Sequence, residues 1–542
     1  MRQWLFIFLA VCCAGASSLL LPGINRQREE CGLTANPVQE NMPPELVLAT
    51  TALGGFRGVV VDVLWMRATD LQQKGKFFEL VQLFDWIGTL QPRCVPVWVY
   101  SAWNMAWNIS VEMPNGPDRW RWIQQGIEVL RSQGIPWNQR AAELYRELAW
   151  IYNNKIGASV DEYHRYYKAQ IAIEVEDVMG RGPAIDLKPF IEAAKTLEEL
   201  QERVNAKPIL DALRQAGYKP LERTRQVLTS LDERDASVLA VLDAPEHAQA
   251  RDAFIMFLRR RALTRALKLD PGYMQKLADE FGAMDWRLPE PRALYYASKA
   301  LDVATAEDFA LNYERIRYTS IKRLCFRGSL FFERGTRPED FTYETTYNWR
   351  FIDATDEIYR TTIASRKGRL KSSVVSPYRN FLEDAIVLLF ASNQTRKARK
   401  YYARMRREYP NERYQAPFDE FVMKSVFESI TQRGYTSAKA GIDAILFEAY
   451  RWLAAGNEDR ATGQFNLAYL MWKHYMQDKD IEVMQQRLGL PPFDKMKESA
   501  RMRALKALPG LLRERLAERL GVELAQPEPE QTEQPKTPAK KD

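Results

Sequence analysis

Apolar residues recur with helical spacing along most of this 542-residue chain. The clearest example is residues 75–92, whose apolar side chains fall on one side of a helix: Phe77, Leu80, Val81, Phe84 and Ile87. Gly75 provides a tight turn before this helix, and Pro92 ends it. Because the apolar pattern restarts from Val95 to Asn108, the segment predicts two helices joined by a short turn.

The same pattern returns near the other end of the chain. Residues 393–410 have the same length, with Ala398 and Tyr402 in matching positions and a proline at the end. The preceding helix places four apolar residues on one face: Leu382, Ala385, Ile386 and Leu389. Weaker copies occur at residues 259–271 and 445–476, and residues 141–157 are predicted to pair with residues 162–172.

The remaining segments differ in composition. Aromatic residues at 328–333 and 341–345 flank the turn-forming sequence RGTRPED, which predicts a small β-hairpin near residues 328–346. Residues 524–542 are rich in Pro, Gln and charge and are expected to be disordered. The predicted organisation is an anchor or signal peptide (1–23), an extended lead (24–55), N-terminal helical repeats (56–180), a helical insertion (181–250), a central helical region (251–375), C-terminal repeats (376–500), a terminal helix (501–523) and the tail.

The N-terminus contains eighteen consecutive uncharged residues, 4–21. As a helix they rise about 27 Å, which is close to the thickness of a bilayer's hydrocarbon core. A second interpretation stays open, because Ala14-Gly15-Ala16 fits the cleavage site of a signal peptide. We favour an uncleaved transmembrane helix because the apolar run continues past that site, and we expect the rest of the chain to be periplasmic or otherwise extracytoplasmic.

These features resemble the tetratricopeptide repeat (TPR) superfamily, in which two antiparallel helices repeat about every 34 residues. The matching positions are Gly75, Phe77, Phe84, Pro92 and, at the start of the next unit, Trp98. Leu80 and Ile87 replace the family's usual alanines, so the resemblance predicts that the helices pair but not how closely. Residues 51–68, 102–131, 144–157 and 284–297 also resemble a poorly characterised group of bacterial membrane-anchored TPR-like proteins. This resemblance implies an all-α, TPR-like helical-hairpin solenoid with an N-terminal transmembrane helix, and it implies no activity.

Composition excludes several kinds of site. The net charge of +7 is small for this length, and no nucleic-acid-binding motif accompanies it. The five cysteines show no zinc-binding spacing, and the three histidines form no metal-chelating pair. His164 is predicted to be a surface or seam residue. The carboxylate groups at residues 174–177 and 353–357 are predicted to be solvated helix faces. We therefore expect no catalytic, cofactor or metal site.

Two groups of residues are candidates for partner binding. The first is an aromatic segment in which Trp98, Trp103 and Trp107 either fill seams between helices or anchor a peptide, while Asn104 and Asn108 hydrogen-bond its backbone. The second is the basic stretch 396–407, with Arg399, Lys400 and Arg406, which either is a solvated face or meets anionic lipid or an acidic partner.

The sequence favours a scaffold that binds protein partners or peptides at the bacterial cell envelope and is held to the membrane by its N-terminal helix. Two alternatives remain. In the first, the chain is a subunit of an envelope transport or secretion assembly. In the second, it is an enzyme whose catalytic residues lie in the insertion or near the β-hairpin. Neither interpretation involves nucleic acid, and the oligomeric state is not predicted.

Overall fold

The computed structural model describes residues 57–183, 185–305, 310–335, 341–432, 438–477, 490–508 and 510–523, together with Gly23, Arg26 and Gln27. Most described residues are helical, which confirms the all-α class. The chain divides into two compact units, Met1–Val97 and Trp98–Asp542. This boundary falls inside the segment 56–180 that was predicted to form one set of repeats.

The first unit contains a helical hairpin. Its helices are α1 (Arg57–Gln73) and α2 (Phe77–Leu90), and they pack against each other. Gly75 joins them with φ +68°, a conformation that glycine adopts without strain. Leu80, Phe84 and Ile87 are buried as the apolar stripe predicts. The rings of Phe84 and Trp65 pack edge to face with their centroids 5.5 Å apart.

The second unit begins with helices that are interrupted by π-helical turns. Three helices run into such turns: α3 (Val95–Trp103) into Asn104–Ile109, α4 (Gly116–Glu128) into Val129–Gly134, and α5 (Ala142–Trp150) into Ile151–Ile156. The following helices are α6 (His164–Met179), α7 (Lys188–Glu192), α8 (Leu197–Arg203), α9 (Lys207–Gln215), α10 (Thr224–Asp232), α11 (Ala236–Leu242) and α12 (Ala248–Arg261), which ends in a π-helical turn at Ala262–Ala266.

The centre of this unit is built on three further helices, α13 (Pro271–Phe281), α14 (Pro289–Val303) and α15 (Ala310–Arg327). Helix α14 packs along α5 on one side and α15 on the other. Ala142 at the start of α5 contacts Ala300 and Tyr313 in one apolar cluster. Of the predicted pairing of residues 141–157 with 162–172, the structure has the contact of the π-helical turn Ile151–Ile156 with α6, whereas α5 packs mainly on α14.

The predicted β-hairpin is confirmed. Strands β1 (Ser329–Arg334) and β2 (Phe341–Thr346) pair antiparallel, with Phe332 opposite Tyr343. Both rings are buried, as is Thr346, and the rings pack edge to face with their centroids 6.1 Å apart.

The C-terminal part consists of helices that form hairpins. They are α16 (Ile352–Ala364), α17 (Gly368–Ala391), α18 (Thr395–Glu408), α19 (Phe418–Gln432), α20 (Ala438–Ala454), α21 (Glu458–Gln477), α22 (Phe493–Ala507) and α23 (Gly510–Leu520). Helix α17 pairs with α18, and Ala398 and Tyr402 are buried at their predicted positions. Helix α20 pairs with α21 around Gly456 at φ +81°, and α22 and α23 pack on α20. The predicted terminal helix 501–523 is thus two helices, because Pro509 has no N–H with which to continue the first.

Among the described residues, no helix combines the length and the apolar character needed to cross a membrane. The predicted anchor or signal peptide (1–23), the extended lead (24–55) and the tail (524–542) lie outside the described residues, except for Gly23, Arg26 and Gln27.

Candidate functional site

Of the five aromatic and asparagine residues predicted to bind a peptide, two are buried and three are half-buried. Trp98 and Asn104 are fully buried, whereas Trp103, Trp107 and Asn108 are half-buried. Asn108 Nδ2 donates to Asn104 Oδ1 at 2.9 Å, so the two amides hydrogen-bond to each other. Burial of Trp98 agrees with the seam interpretation of this ring, and the peptide-binding role of the set stays a prediction.

A buried lysine lies beneath this set. Lys155 Nζ is 5.3 Å from the centre of the Trp107 ring and donates to Asp161 Oδ2 at 2.7 Å. Asp161 also accepts from the Tyr167 hydroxyl at 3.0 Å. Burial raises the pKa of Asp161, but hydrogen bonds from Lys155 and from the Tyr163 amide outweigh that effect and hold the pKa below its ordinary value. This cluster therefore fixes the loop before α6 and is internally satisfied.

The carboxylates of α6 correct a sequence prediction. Glu174, Glu176 and Asp177 are buried and form no solvated face. Each is paired with arginines from other elements: Arg292 with Glu174 at 3.0 Å, Arg287 with Glu176 at 3.0 Å, and Arg225 and Arg334 with Asp177 at 2.9 and 2.8 Å. Burying a carboxylate requires such partners, and these arginines are too far along the chain for local pattern to reveal them.

The basic stretch on α18 is divided between buried and exposed cations. Arg404 makes a two-point ion pair with Asp356 at 2.6 and 2.7 Å, and Tyr378 donates to the same carboxylate. Asp356 is thus buried instead of solvated. Arg399 is exposed and pairs with Asp419, Lys400 is exposed, and exposed Arg406 hydrogen-bonds Gln415. The cations that remain open to a partner are therefore fewer than the sequence suggests.

One cavity in the second unit lies beside α14 and has a volume of about 340 Å³. We call it the tyrosine cavity. Its wall combines three tyrosines with three cations: Tyr145, Tyr295, Tyr296, Arg131, Lys268 and Lys299. Arg131 and Thr264 reach it from the π-helical turns of α4 and α12. Tyr296 is buried, its ring stacks on Tyr152, and its hydroxyl has no hydrogen-bond partner in the described part of the chain.

An exposed apolar face on the first hairpin is a site that sequence patterns missed. Val59, Val63 and Met66 stand one above the other on α1 and are 58%, 54% and 66% exposed. The core of the hairpin is formed by the opposite side of the same helix, with Val61, Ala68 and Leu71 buried. The apolar side chains of α1 surround the helix, and this low amphipathicity could have revealed the face from sequence. On α2, Phe78 and Trp86 are also about half exposed.

Neither metal-ligand geometry in the described residues nor similarity to known proteins indicates an activity. Within the described ranges, no group of three or more His, Cys, Asp or Glu side chains is arranged to hold a metal ion. Comparison with protein-family models, with curated proteins and with solved structures finds no match to this chain.

Proposed function

We propose that this chain is an interaction protein of the cell envelope, anchored in the membrane by residues 4–21 and holding protein partners on TPR-like helical hairpins. The observation that carries the proposal is the apolar face formed by Val59, Val63 and Met66 on α1. These side chains lie opposite the buried side of α1, and exposed apolar patches of this kind mark interaction sites.

The charge around this face favours a protein over an anionic lipid surface. Residues 57–90 contain four basic and four acidic side chains, so the hairpin has no net charge. Two of the cations are already paired within the hairpin, Lys74 with Asp70 at 2.7 Å and Lys76 with Glu79 at 3.0 Å. Binding to anionic lipid relies on unpaired basic side chains. The partner that fits is an amphipathic protein helix that lays its apolar face on α1.

The helical hairpins support the same function. Helices α1 and α2, α17 and α18, and α20 and α21 each pair with their chain neighbour. Stacking of such units into a solenoid would produce an extended surface for partners, and an N-terminal anchor would concentrate that surface at the membrane. The extracytoplasmic location follows from the same anchor and belongs to the proposal.

Site-specific photocrosslinking in intact cells tests the proposal directly. A photoreactive amino acid is placed at Val63 or Met66, and for comparison at Gln72, an exposed residue that lies away from this face. We expect crosslinks to one or a few defined proteins from Val63 and Met66 and none from Gln72. Adding Val63→Glu should abolish the crosslink from Met66, while thermal unfolding confirms that the hairpin still folds.

The other functions predict different crosslinking results. One partner captured in constant proportion indicates a subunit of an envelope transport or secretion assembly, and several partners indicate an adaptor. Crosslinks only to lipid, or only within the same chain, contradict the proposal. An enzyme remains the third candidate, and turnover of a metabolite without any protein partner would support it.

A further inference from the structure

A second, smaller cavity lies where the β-hairpin meets the helices, and we call it the hairpin cavity. Its volume is about 220 Å³. The start of α6, the start of α14, the end of α15 and strand β2 all contribute to its wall. The lining residues used below are His164, Arg165, Lys168, Glu290, Arg327 and Glu344.

The wall of the hairpin cavity contains a buried carboxylate with one unsatisfied oxygen. Glu290 is only 1% exposed, and its Oε2 accepts no hydrogen bond from any described residue. Glu174 and Glu176 are also buried, at 7% and 4% exposed, but they pair with arginines. An unpaired carboxylate taken out of water is destabilising, so this oxygen is suited to accept from a ligand.

The same wall contains a buried amine. Lys168 is 7% exposed, and its Nζ lies 3.0 Å from His164 Nδ1, which accepts from the ammonium group. Burial lowers the pKa of Lys168 to about 8; Glu290 opposes this shift, while Arg327 and Arg323 add to it. Within the described residues no ion pair joins Lys168 to Glu290, although both face the same space.

Of the remaining charges of the wall, Arg165 and Glu344 are already engaged, and Arg327 is engaged in part. Arg165 donates to the Tyr343 carbonyl at 3.0 Å and pairs with Glu344, which also pairs with Arg451 at 2.6 Å. Arg327 donates through Nη1 to the Gly157 carbonyl at 2.8 Å and lines the cavity. The groups that remain able to bind a ligand are thus an acceptor at Glu290 and donors at Lys168 and Arg327. They lie on three different helices around one small cavity.

We propose that the hairpin cavity binds a small zwitterion of the α-amino acid type, whose ammonium group donates to Glu290 and whose carboxylate accepts from Lys168 and Arg327. A ligand with both charges satisfies both buried groups at once, whereas a simple anion leaves Glu290 without a donor. The inference goes beyond the proposed scaffold function and uses residues of the other unit, so either proposal can fail without the other.

The proposal includes a pH dependence with a defined sign. The carboxylate of the ligand needs Lys168 protonated, so affinity should fall as pH rises through about 8. The groups facing Lys168 are His164 and Arg165 on α6, Glu290 on α14, Arg323 and Arg327 on α15, and Tyr343 and Glu344 on β2. Burial lowers the pKa of His164 and raises that of Tyr343 well above its usual range, so neither changes charge as Lys168 deprotonates.

Calorimetric titration of the full-length protein with the twenty common α-amino acids tests the inference. Propionate, propylamine and inorganic phosphate serve as probes that carry only one kind of charge. We expect saturable binding of at least one amino acid at pH 7 and binding about 10-fold to 100-fold weaker for each single-charge probe, because each loses a charge-assisted hydrogen bond. Glu290→Gln and Lys168→Met should weaken amino acid binding by a similar factor, and Lys299→Met in the tyrosine cavity should leave it unchanged.

Several results would overturn the inference. Phosphate or propionate binding as tightly as every amino acid would identify a plain anion site, and an unchanged affinity in Glu290→Gln would remove the ammonium contact. If a variant does not fold, protection of Lys168 from acetylation in the unaltered protein still tests the inference. Acetylation of Lys168 at about pH 8, followed by mass spectrometry, should slow when the binding amino acid is present. Absence of binding and of protection across the panel would refute the proposal.

Discussion

At the scale of single residues, some positions require glycine because two helix backbones lie too close together for a Cβ atom. Gly463 on α21 is such a position, since a Cβ atom there would overlap the Ala391 carbonyl oxygen at the end of α17. Arg460, one turn earlier, donates to the same carbonyl at 3.1 Å. The contact therefore holds the α20–α21 hairpin against α17 at a distance that only glycine permits.

Gly463→Ala should lower the free energy of unfolding by about 1 to 3 kcal/mol, because overpacking forces the backbones apart. Chemical denaturation followed by circular dichroism provides the measurement. Gly510→Ala is the control, since a Cβ atom there meets nothing within 4 Å and the residue is helical. Equal stability of the two variants would show that α17 and α21 move apart without cost.

At the scale of elements, ion pairs of one helix differ greatly in what they contribute. On α18, Arg404 is mostly buried against Asp356 of α16, whereas Arg399 and Asp419 are 54% and 61% exposed. Burial opposes the Arg404 charge, but the hydrogen bonds and charge of Asp356 dominate and raise the pKa of the guanidinium above its usual range. The Arg404 pair also orders Tyr378 of α17, so it joins three helices.

Arg404→Met should destabilise the protein by about 3 kcal/mol, because Asp356 is left as an unpaired buried carboxylate. The matched variant on the same helix, Arg399→Met, should cost less than about 1 kcal/mol, since water replaces an exposed pair. Urea unfolding of both variants at neutral pH measures the difference. A similar loss in the two proteins would contradict the buried role of Arg404.

The elements also show how far sequence patterns reach. Helix α2, the α17–α18 hairpin and the β-hairpin follow from local periodicity, because the buried side chains such as Phe84 and Ala385 recur at fixed spacing. The pairing of α5 with α14 does not, since about 140 residues separate them and no local pattern specifies the partner. The hairpin cavity is equally invisible to sequence patterns, because Lys168, Glu290 and Arg327 lie on three different helices that are far apart along the chain.

At the scale of the second unit as a whole, the β-hairpin connects distant parts of the chain. Glu344 on β2 pairs with Arg165 of α6 and Arg451 of α20, and Glu333 on β1 pairs with Arg515 of α23 at 2.9 Å. Two short strands thus join the helices around the hairpin cavity to the last helices of the fold.

Glu344→Gln should loosen this connection without unfolding the unit, because the β1–β2 pairing and the buried Tyr343 remain. Hydrogen–deuterium exchange should show faster exchange in β2 and the neighbouring part of α20. Glu458→Gln is the control, as its pair with Arg519 lies elsewhere and Glu458 is 73% exposed. Equal exchange rates in β2 and α20 of the two variants would mean that the ion pairs of Glu344 do not connect the β-hairpin to these helices.

The π-helical turns at Asn104–Ile109, Val129–Gly134, Ile151–Ile156 and Ala262–Ala266 have a consequence for comparing this chain with others. Each holds one residue more than an uninterrupted α-helix. After the first two turns the helix continues, over Ser110–Glu112 and Ile135–Trp137, so the side chains there are rotated by about 100°. A repeat template of fixed length therefore loses phase at these two turns, and an alignment that admits one additional residue at each would restore the helical faces on both sides.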